Sequence, residues 1–232
     1  MKNNELKKIV AKEAVTHIKD GMTIGLGTGS TMRYVLEFLG DQVKKGLDIS
    51  GIPTSESTAE LAKKFNIPLT SFKNVKKLDI AIDGADEVDA HFNLIKGGGG
   101  ALLREKLIAN AAKSFIVVID KNKLVEQLGA FLLPVEIIPF GWEVTSQKIM
   151  DLGGVPKLRQ LENQPYITDN GNYILDCDFG LIGNPPSLEK SLNSITGVVE
   201  SGLFINMANK VLVSDDSNVQ TLTNILIKEH SL

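Results

Sequence analysis

The sequence predicts an α/β fold: a parallel, doubly wound sheet followed by a smaller α/β unit. Three observations predict it. Brief apolar strands alternate with helical segments through the first 120 or so residues, the signature of βα units around a parallel sheet. Two of those strands run into loops rich in Gly, Ser, Thr or Asp, where such sheets bind ligands. From Pro134 on, the order of elements changes to βαββαβ, the split-βαβ pattern.

Taken in order, Leu6–Ile18 has helical spacing, with Leu6, Ile9, Val10, Glu13, Ala14 and His17 along one side and Asp20-Gly21 ending it. Thr23–Leu26 reads as a strand running into Gly25–Thr31, and the helix after it is apolar at Met32, Val35, Leu36 and Leu39, with Gly40 as its stop. Leu47–Ile52 is the next strand, and Thr54–Phe65 a helix opened by Ser/Thr caps. Leu78–Ile82 is a buried strand ending at Asp83-Gly84-Ala85-Asp86. A helix spans about Ala101–Lys113, and Phe115–Ile119 is a further strand. In the second half, Val135–Ile138 is a strand and Trp142–Leu152 a helix. Two strands, Val155–Leu161 or Tyr166–Thr168 and Asn172–Phe179, are joined by the turn Asp169-Asn170-Gly171. Ser187–Ile195 then reads as a helix and Val198–Ile205 as a strand. Val211–Val213 and Val219–Lys228 read as one more strand and helix that could return to the first sheet.

Composition narrows the function. The 232 residues are 43% hydrophobic and 23% charged, enough for one large domain or two small ones. A net charge of -3 argues against a nucleic-acid binder. The lone cysteine, Cys177, excludes an intrachain disulfide; it lies in an alternating run and reads as a strand residue rather than a nucleophile. The charged start Met1–Lys8 is followed by no apolar segment, and runs such as Phe115–Ile119 are too short to cross a bilayer. The cytoplasm is the expected location.

Four stretches carry candidate chemistry. In Gly25–Thr31 a strand meets a helix through a loop with free N–H groups, where the helix dipole favours an anion. Ser30 stands where a dinucleotide fingerprint needs Gly, and no Lys completes a P-loop, so a single phosphate or an ordinary capped turn remains. Asp83 falls at the carboxyl end of a buried strand, as a ligand contact or a solvated turn residue. Asp86, Glu87 and Asp89 make a hard cation conceivable, but the spacing is not that of an EF-hand. His17, His91 and His230 form no ligand-spaced pair, so metal is the weaker option. Four consecutive glycines, Gly97–Gly100, are costly to order and follow Lys96; at a helix N-terminus they suit a backbone wrapped round a ligand. Glu105 falls between Ala109 and Ala112 on a helix apolar almost all round, so it is either a buried functional acid or a first-turn dipole partner.

In order and spacing, Gly27-Thr28-Gly29-Ser30-Thr31, Asp83-Gly84-Ala85-Asp86-Glu87, Lys96-Gly97-Gly98-Gly99-Gly100-Ala101 and Arg104-Glu105-Lys106 resemble the ribose-5-phosphate isomerase type A family. Glu5–Lys8, Leu133–Pro139 and Thr168–Asn172 extend the resemblance over nearly the whole chain. One departure is Asn209, where the family often has Asp. The resemblance implies a Rossmann-like catalytic domain, 1–130 plus 207–232, and a small ferredoxin-like α/β domain, 131–206. It implies interconversion of ribose 5-phosphate and ribulose 5-phosphate through an enediolate, a step of the non-oxidative pentose phosphate pathway. It further implies no cofactor, no metal, a homo-oligomer (dimer or tetramer), and a sugar phosphate rather than nucleic acid or membrane as partner. Carried over residue by residue, it makes Glu105 the general base, with Asp83, Asp86 and Lys96 around the reacting carbons. Lys7, Thr28, Gly29, Ser30, Thr31 and Lys123 form the phosphate set, with Gly84, Ala85, Gly97, Gly98 and Gly99 also against substrate. The rival readings are a non-catalytic sugar-phosphate sensor, which would usually carry a DNA-binding helix pair and would not need Glu105, and an acyl-CoA transferase-like enzyme.

Overall fold

The structure, a computed structural model, describes residues 2–215 and 218–225. Its elements in chain order are α1 (Lys2–Val15), β1 (Thr23–Leu26), α2 (Ser30–Lys44), β2 (Ser50–Pro53), α3 (Glu56–Lys64), β3 (Leu78–Asp83), β4 (Glu87–Val88), β5 (Leu94–Ile95), α4 (Leu102–Ala111) and β6 (Ala112–Asp120). A short 3-10 turn, Lys121–Lys123, follows, then β7 (Leu133–Ile137), α5 (Trp142–Asp151), β8 (Val155–Leu158), β9 (Gln160–Leu161), β10 (Gln164–Pro165) and β11 (Tyr173–Asp178). The chain continues through α6 (Pro185–Asn193), β12 (Val198–Ser201), β13 (Leu203–Phe204), β14 (Lys210–Asp215) and β15 (Asn218–Thr223). It divides into two compact units. One takes in the chain up to Ala85, Arg104–Lys123 and the segment from Asn206 on; the other comprises Asp86–Leu103 and Leu124–Ile205.

The first unit is built on a six-stranded sheet in the order β15-β14-β6-β3-β1-β2, parallel except for β15. Alternate residues of its strands (Ile24, Leu26, Ile80, Ile82, Ile116, Val118) enter one core with Val10 and Ala14 of α1 and Met32, Val35, Leu36 and Leu39 of α2. Each such buried aliphatic side chain contributes about 1.5–3 kcal/mol relative to exposure. On the other face Gly25 of β1 leaves room for Ile108 of α4. Ser55 caps α3, its side chain accepting the Thr58 N–H at 3.1 Å.

Two expectations for this unit change. Gly40 does not stop α2; it lies inside the helix, where a side chain would strike the Phe65 backbone, and the helix runs on to Lys44. The stretch from Val219 is not a helix. It pairs antiparallel with β14 from Asn218 to Thr223, and 226–228 lie outside the described residues, as does His230. The β-branched residues Val219, Thr221 and Thr223 suit a strand, and β14 offers an open edge.

In the second unit a four-stranded antiparallel sheet has the order β12-β7-β11-β8. With α5 and α6 this is the βαββαβ arrangement of a ferredoxin-like unit, its core holding Val135, Ile137, Ile149, Leu175, Cys177 and Leu192. Val198–Ile205 breaks at Gly202, where a Cβ would strike the Lys96 carbonyl and the chain leaves the four-stranded sheet. β13 pairs instead with β5, which pairs with β4. Tyr166–Thr168 is not a strand; Gly171, at φ +80°, closes the expected turn by donating to Thr168 O at 2.9 Å. Compared with boundaries near 130 and 207, the units differ in grouping 86–103 and 124–130 with the smaller sheet. The β4–β5–β13 pairing and the Val88–Leu124 bridge account for that grouping.

Candidate active site

Because β1, β3 and β6 are parallel, three stretches lie at their carboxyl ends in the first unit: Gly27–Gly29, Asp83–Ala85 (Asp83 being the last residue of β3) and Lys121–Lys123. That edge is where open α/β sheets take ligands. Asp83 is buried, and its Oδ1 accepts the N–H of Thr28 (3.1 Å) and of Gly84 (2.8 Å). Gly27 must be glycine because a Cβ would overlap the Asp83 carboxyl. Gly29, at φ +118°, opens α2, and no side chain caps the helix. The leading N–H groups of α2 therefore have no side-chain acceptor at the cap. A cleft of about 440 Å³ runs from Thr28, Gly29 and Ser30 along α2 to Tyr34 and Leu36, with Ser57 and Thr58 of α3 also lining it.

Behind the loop lies a hydroxyl cluster that the sequence did not reveal. Thr28 Oγ1 is 2.7 Å from Thr54 Oγ1, 2.8 Å from Ser55 Oγ and 3.1 Å from Thr58 Oγ1. Thr54 donates onward to Leu26 O and Thr58 to Gly27 O, each at 3.0 Å. The cluster fixes Thr28 to the ends of β1 and β2. The caps of α3 were legible in the sequence, but their reach across to Thr28 was not.

Glu105 is 4% exposed on α4. It stands one turn before Ile108, the residue seated on Gly25, so it shares the helix face turned to β1. Its neighbour Arg104 reaches Glu56 at the start of α3, 4.0 Å away. Lys7 on α1 and Lys123 after β6 are half-buried, Thr31 is half-buried and Ser30 exposed.

The second unit holds Asp86, Lys96 and Gly97–Gly99. Asp86 is half-buried, donating its N–H to Ile95 O and accepting the Gly98 N–H on Oδ2, both at 2.8 Å. Lys96 is 3% exposed, with its Nζ 5.4 Å from the centre of the Phe204 ring. Gly97 (φ +105°) and Gly100 (φ +79°) occupy conformations that favour glycine, while Gly98 and Gly99 are exposed. Arg159 and Tyr166, neither singled out from the sequence, hold this loop. The guanidinium donates to Gly97 O (3.0 Å) and Gly98 O (3.2 Å), and the Tyr166 ring fills the space a Gly100 side chain would need. Burial, and then Asp169, push the Tyr166 hydroxyl above its ordinary value.

The conceivable cation cluster is not assembled within this unit. Glu87 accepts Gly129 N–H (2.7 Å) and Phe131 N–H (2.6 Å), one on each oxygen. Asp89 is taken up by His91 N–H, Asn93 N–H and the Asn93 amide at 2.8–2.9 Å. Among the described residues no group of three or more His, Cys, Asp or Glu could hold a metal ion. Asn209, the local departure, accepts the Phe115 N–H at 2.7 Å through its Oδ1, a bond an aspartate oxygen would also make.

A parallel sheet presenting a buried carboxylate and an uncapped helix start at its carboxyl edge, on a chain that also carries a braced glycine loop, places the chain in the class of α/β proteins suited to a small anionic ligand. The profile of ribose 5-phosphate isomerase A (phosphoriboisomerase A) matches residues 50–218. Ribose-5-phosphate isomerase A 1 of Oceanobacillus iheyensis is 54% identical over 217 residues, covering 93% of this chain and 97% of the relative. The Bacillus mycoides ribose-5-phosphate isomerase A is 48% identical over 93% of this chain and 98% of its own. A solved D-ribose-5-phosphate isomerase in complex with phospho-erythronic acid superposes with a TM-score of 0.93 at 43% identity, covering 96% of this chain and all of that one. Ribose 5-phosphate isomerase A of Methanocaldococcus jannaschii superposes with a TM-score of 0.91 at 43% identity, covering 95% and 99%. The chain belongs to the ribose 5-phosphate isomerase A family.

Proposed function

We propose that this chain interconverts D-ribose 5-phosphate and D-ribulose 5-phosphate with Glu105 as the base, within the non-oxidative pentose phosphate pathway. The observation that carries the reading is a buried glutamate on the helix that follows the glycine loop, in a chain about half identical to named isomerases over nearly its full length. Moving the carbonyl from C1 to C2 requires a proton to leave C2 and one to arrive at C1. The Glu105 carboxylate takes the first and returns it to C1. Between the two steps the substrate is an enediolate, its negative charge met by Lys96 and by N–H groups of Gly97–Gly99. A well-placed donor of this kind contributes about 3–4 kcal/mol. Asp83 and Asp86 move protons between the hydroxyl oxygens and assist ring opening. Thr28–Thr31, Lys7 and Lys123 hold the phosphate, and binding there orients the sugar. Gly84 and Ala85 line the same substrate. No cofactor enters these steps. A relative is solved in complex with phospho-erythronic acid, and this agrees with the chemistry, since a carboxylate shares the planar shape and negative charge of an enediolate.

The active form is a homo-oligomer, a dimer or tetramer. Exposed apolar side chains in the second unit (Phe140, Val144, Leu161, Ile167 and Leu181) support it. No helix among the described residues is long and apolar enough to cross a membrane. The cytoplasm is the location proposed with this activity. The test is direct: purified protein with ribose 5-phosphate yields ketose. Tight binding of the sugar phosphate without ketose formation would replace the isomerase with a sensor.

A further inference from the structure

We infer that Arg159 is a positioning residue for Asp86, acting through the single peptide between Gly97 and Gly98. The carbonyl end of that peptide accepts from Arg159 Nη1 at 3.0 Å, and its amide end donates to Asp86 Oδ2 at 2.8 Å. The peptide is a rigid plane, so fixing its oxygen fixes the direction of its N–H. A cation at the carbonyl also polarises the unit, which strengthens the amide as a donor to a carboxylate. Arg159 is itself held. Its Nε and Nη2 fork onto the Asp176 carboxylate at 2.9 and 2.5 Å, and it lies 5.8 Å from the centre of the Tyr166 ring. Both partners of the fork are largely shielded, with side chains 16% and 21% exposed. Asp176 sits on β11, an interior strand of the four-stranded sheet. The orientation of a loop carboxylate is thus referred back to a rigid strand through a guanidinium and one peptide. Lysine cannot replace the fork, because a point ammonium cannot serve a carboxylate and two carbonyls in one plane.

The inference rests on the reading of Asp86 as a group that handles a substrate hydroxyl proton, and two separate measurements keep the two apart. In protein labelled with 15N-glycine, Arg159→Lys and Asp86→Asn should each move the Gly98 amide proton upfield. In steady-state assays with ribose 5-phosphate, Arg159→Lys should lower kcat about 10- to 100-fold, with KM near the parent value. Added guanidinium should restore part of the kcat lost in Arg159→Ala. An unmoved Gly98 amide in Arg159→Lys, or a change confined to KM, overturns the relay. If Asp86→Asn keeps full turnover while the amide moves as expected, the relay stands and the role given to Asp86 falls.

Discussion

The buried Asp83 carboxylate accepts the backbone N–H of Thr28 at 3.1 Å, tying the end of β3 to the start of the anion loop after β1. The two residues are 55 apart in sequence, and Gly27 is what lets them meet. Gly27→Ala would drive a methyl into the Asp83 carboxyl. It should raise KM for ribose 5-phosphate and destabilise the fold by about 1–3 kcal/mol, the usual range for overpacking. Urea denaturation and steady-state kinetics check both. A stable variant with parent KM would mean the contact is slack.

Glu105→Gln removes the base while keeping size and shape. Turnover should fall at least about 10²–10⁴-fold, while the melting temperature and inhibition by inorganic phosphate stay near those of the parent. The assignment fails if the variant turns over normally.

Activity should persist in excess EDTA. The carboxylates that suggested a cation are engaged by backbone N–H groups: Glu87 by Gly129 and Phe131, Asp89 by His91 and Asn93. A loss of turnover restored by added Mg²⁺ or Mn²⁺ would reverse this conclusion.

Much of the frame was legible because local pattern and tertiary outcome agree. Thr23–Leu26 and Leu78–Asp83 are apolar runs ending in turn residues, and both are interior parallel strands. What escaped was set by partners distant in sequence. Arg159 looks like any solvated arginine until Asp176 and the glycine carbonyls come within its reach. Thr54, Ser55 and Thr58 look like helix caps, and their second task depends on Thr28 in another loop. The segment from Val219 has mixed periodicity, and the open edge of β14 decided it.

Cys177 should be inert in the folded protein. It is 1% exposed on β11, and burial, with Asp176 adding to it, pushes the thiol far above its ordinary value. Alkylating reagents at pH 8 should label it only after unfolding, and Cys177→Ala should keep full activity. Rapid labelling of native protein would contradict the buried placement.

His17 makes the fold less stable as the pH falls through the ordinary histidine range. Its pKa is lowered from 6.5, first by burial and then by nearby Lys210, with Glu13 opposing. Its Nε2 is buried without a hydrogen-bond partner among the described residues. A histidine with a depressed folded pKa binds its proton more readily in the unfolded chain. Well above pH 6.5 both states are unprotonated and nothing is lost. As pH falls below 6.5 the unfolded state takes up a proton that the native state resists, so stability declines until the lowered native value is passed. The urea midpoint should therefore drop between pH 7 and pH 5 by more in the parent than in His17→Gln, which cannot titrate. Parallel midpoint curves for the two proteins across that interval would show that His17 carries no such linkage.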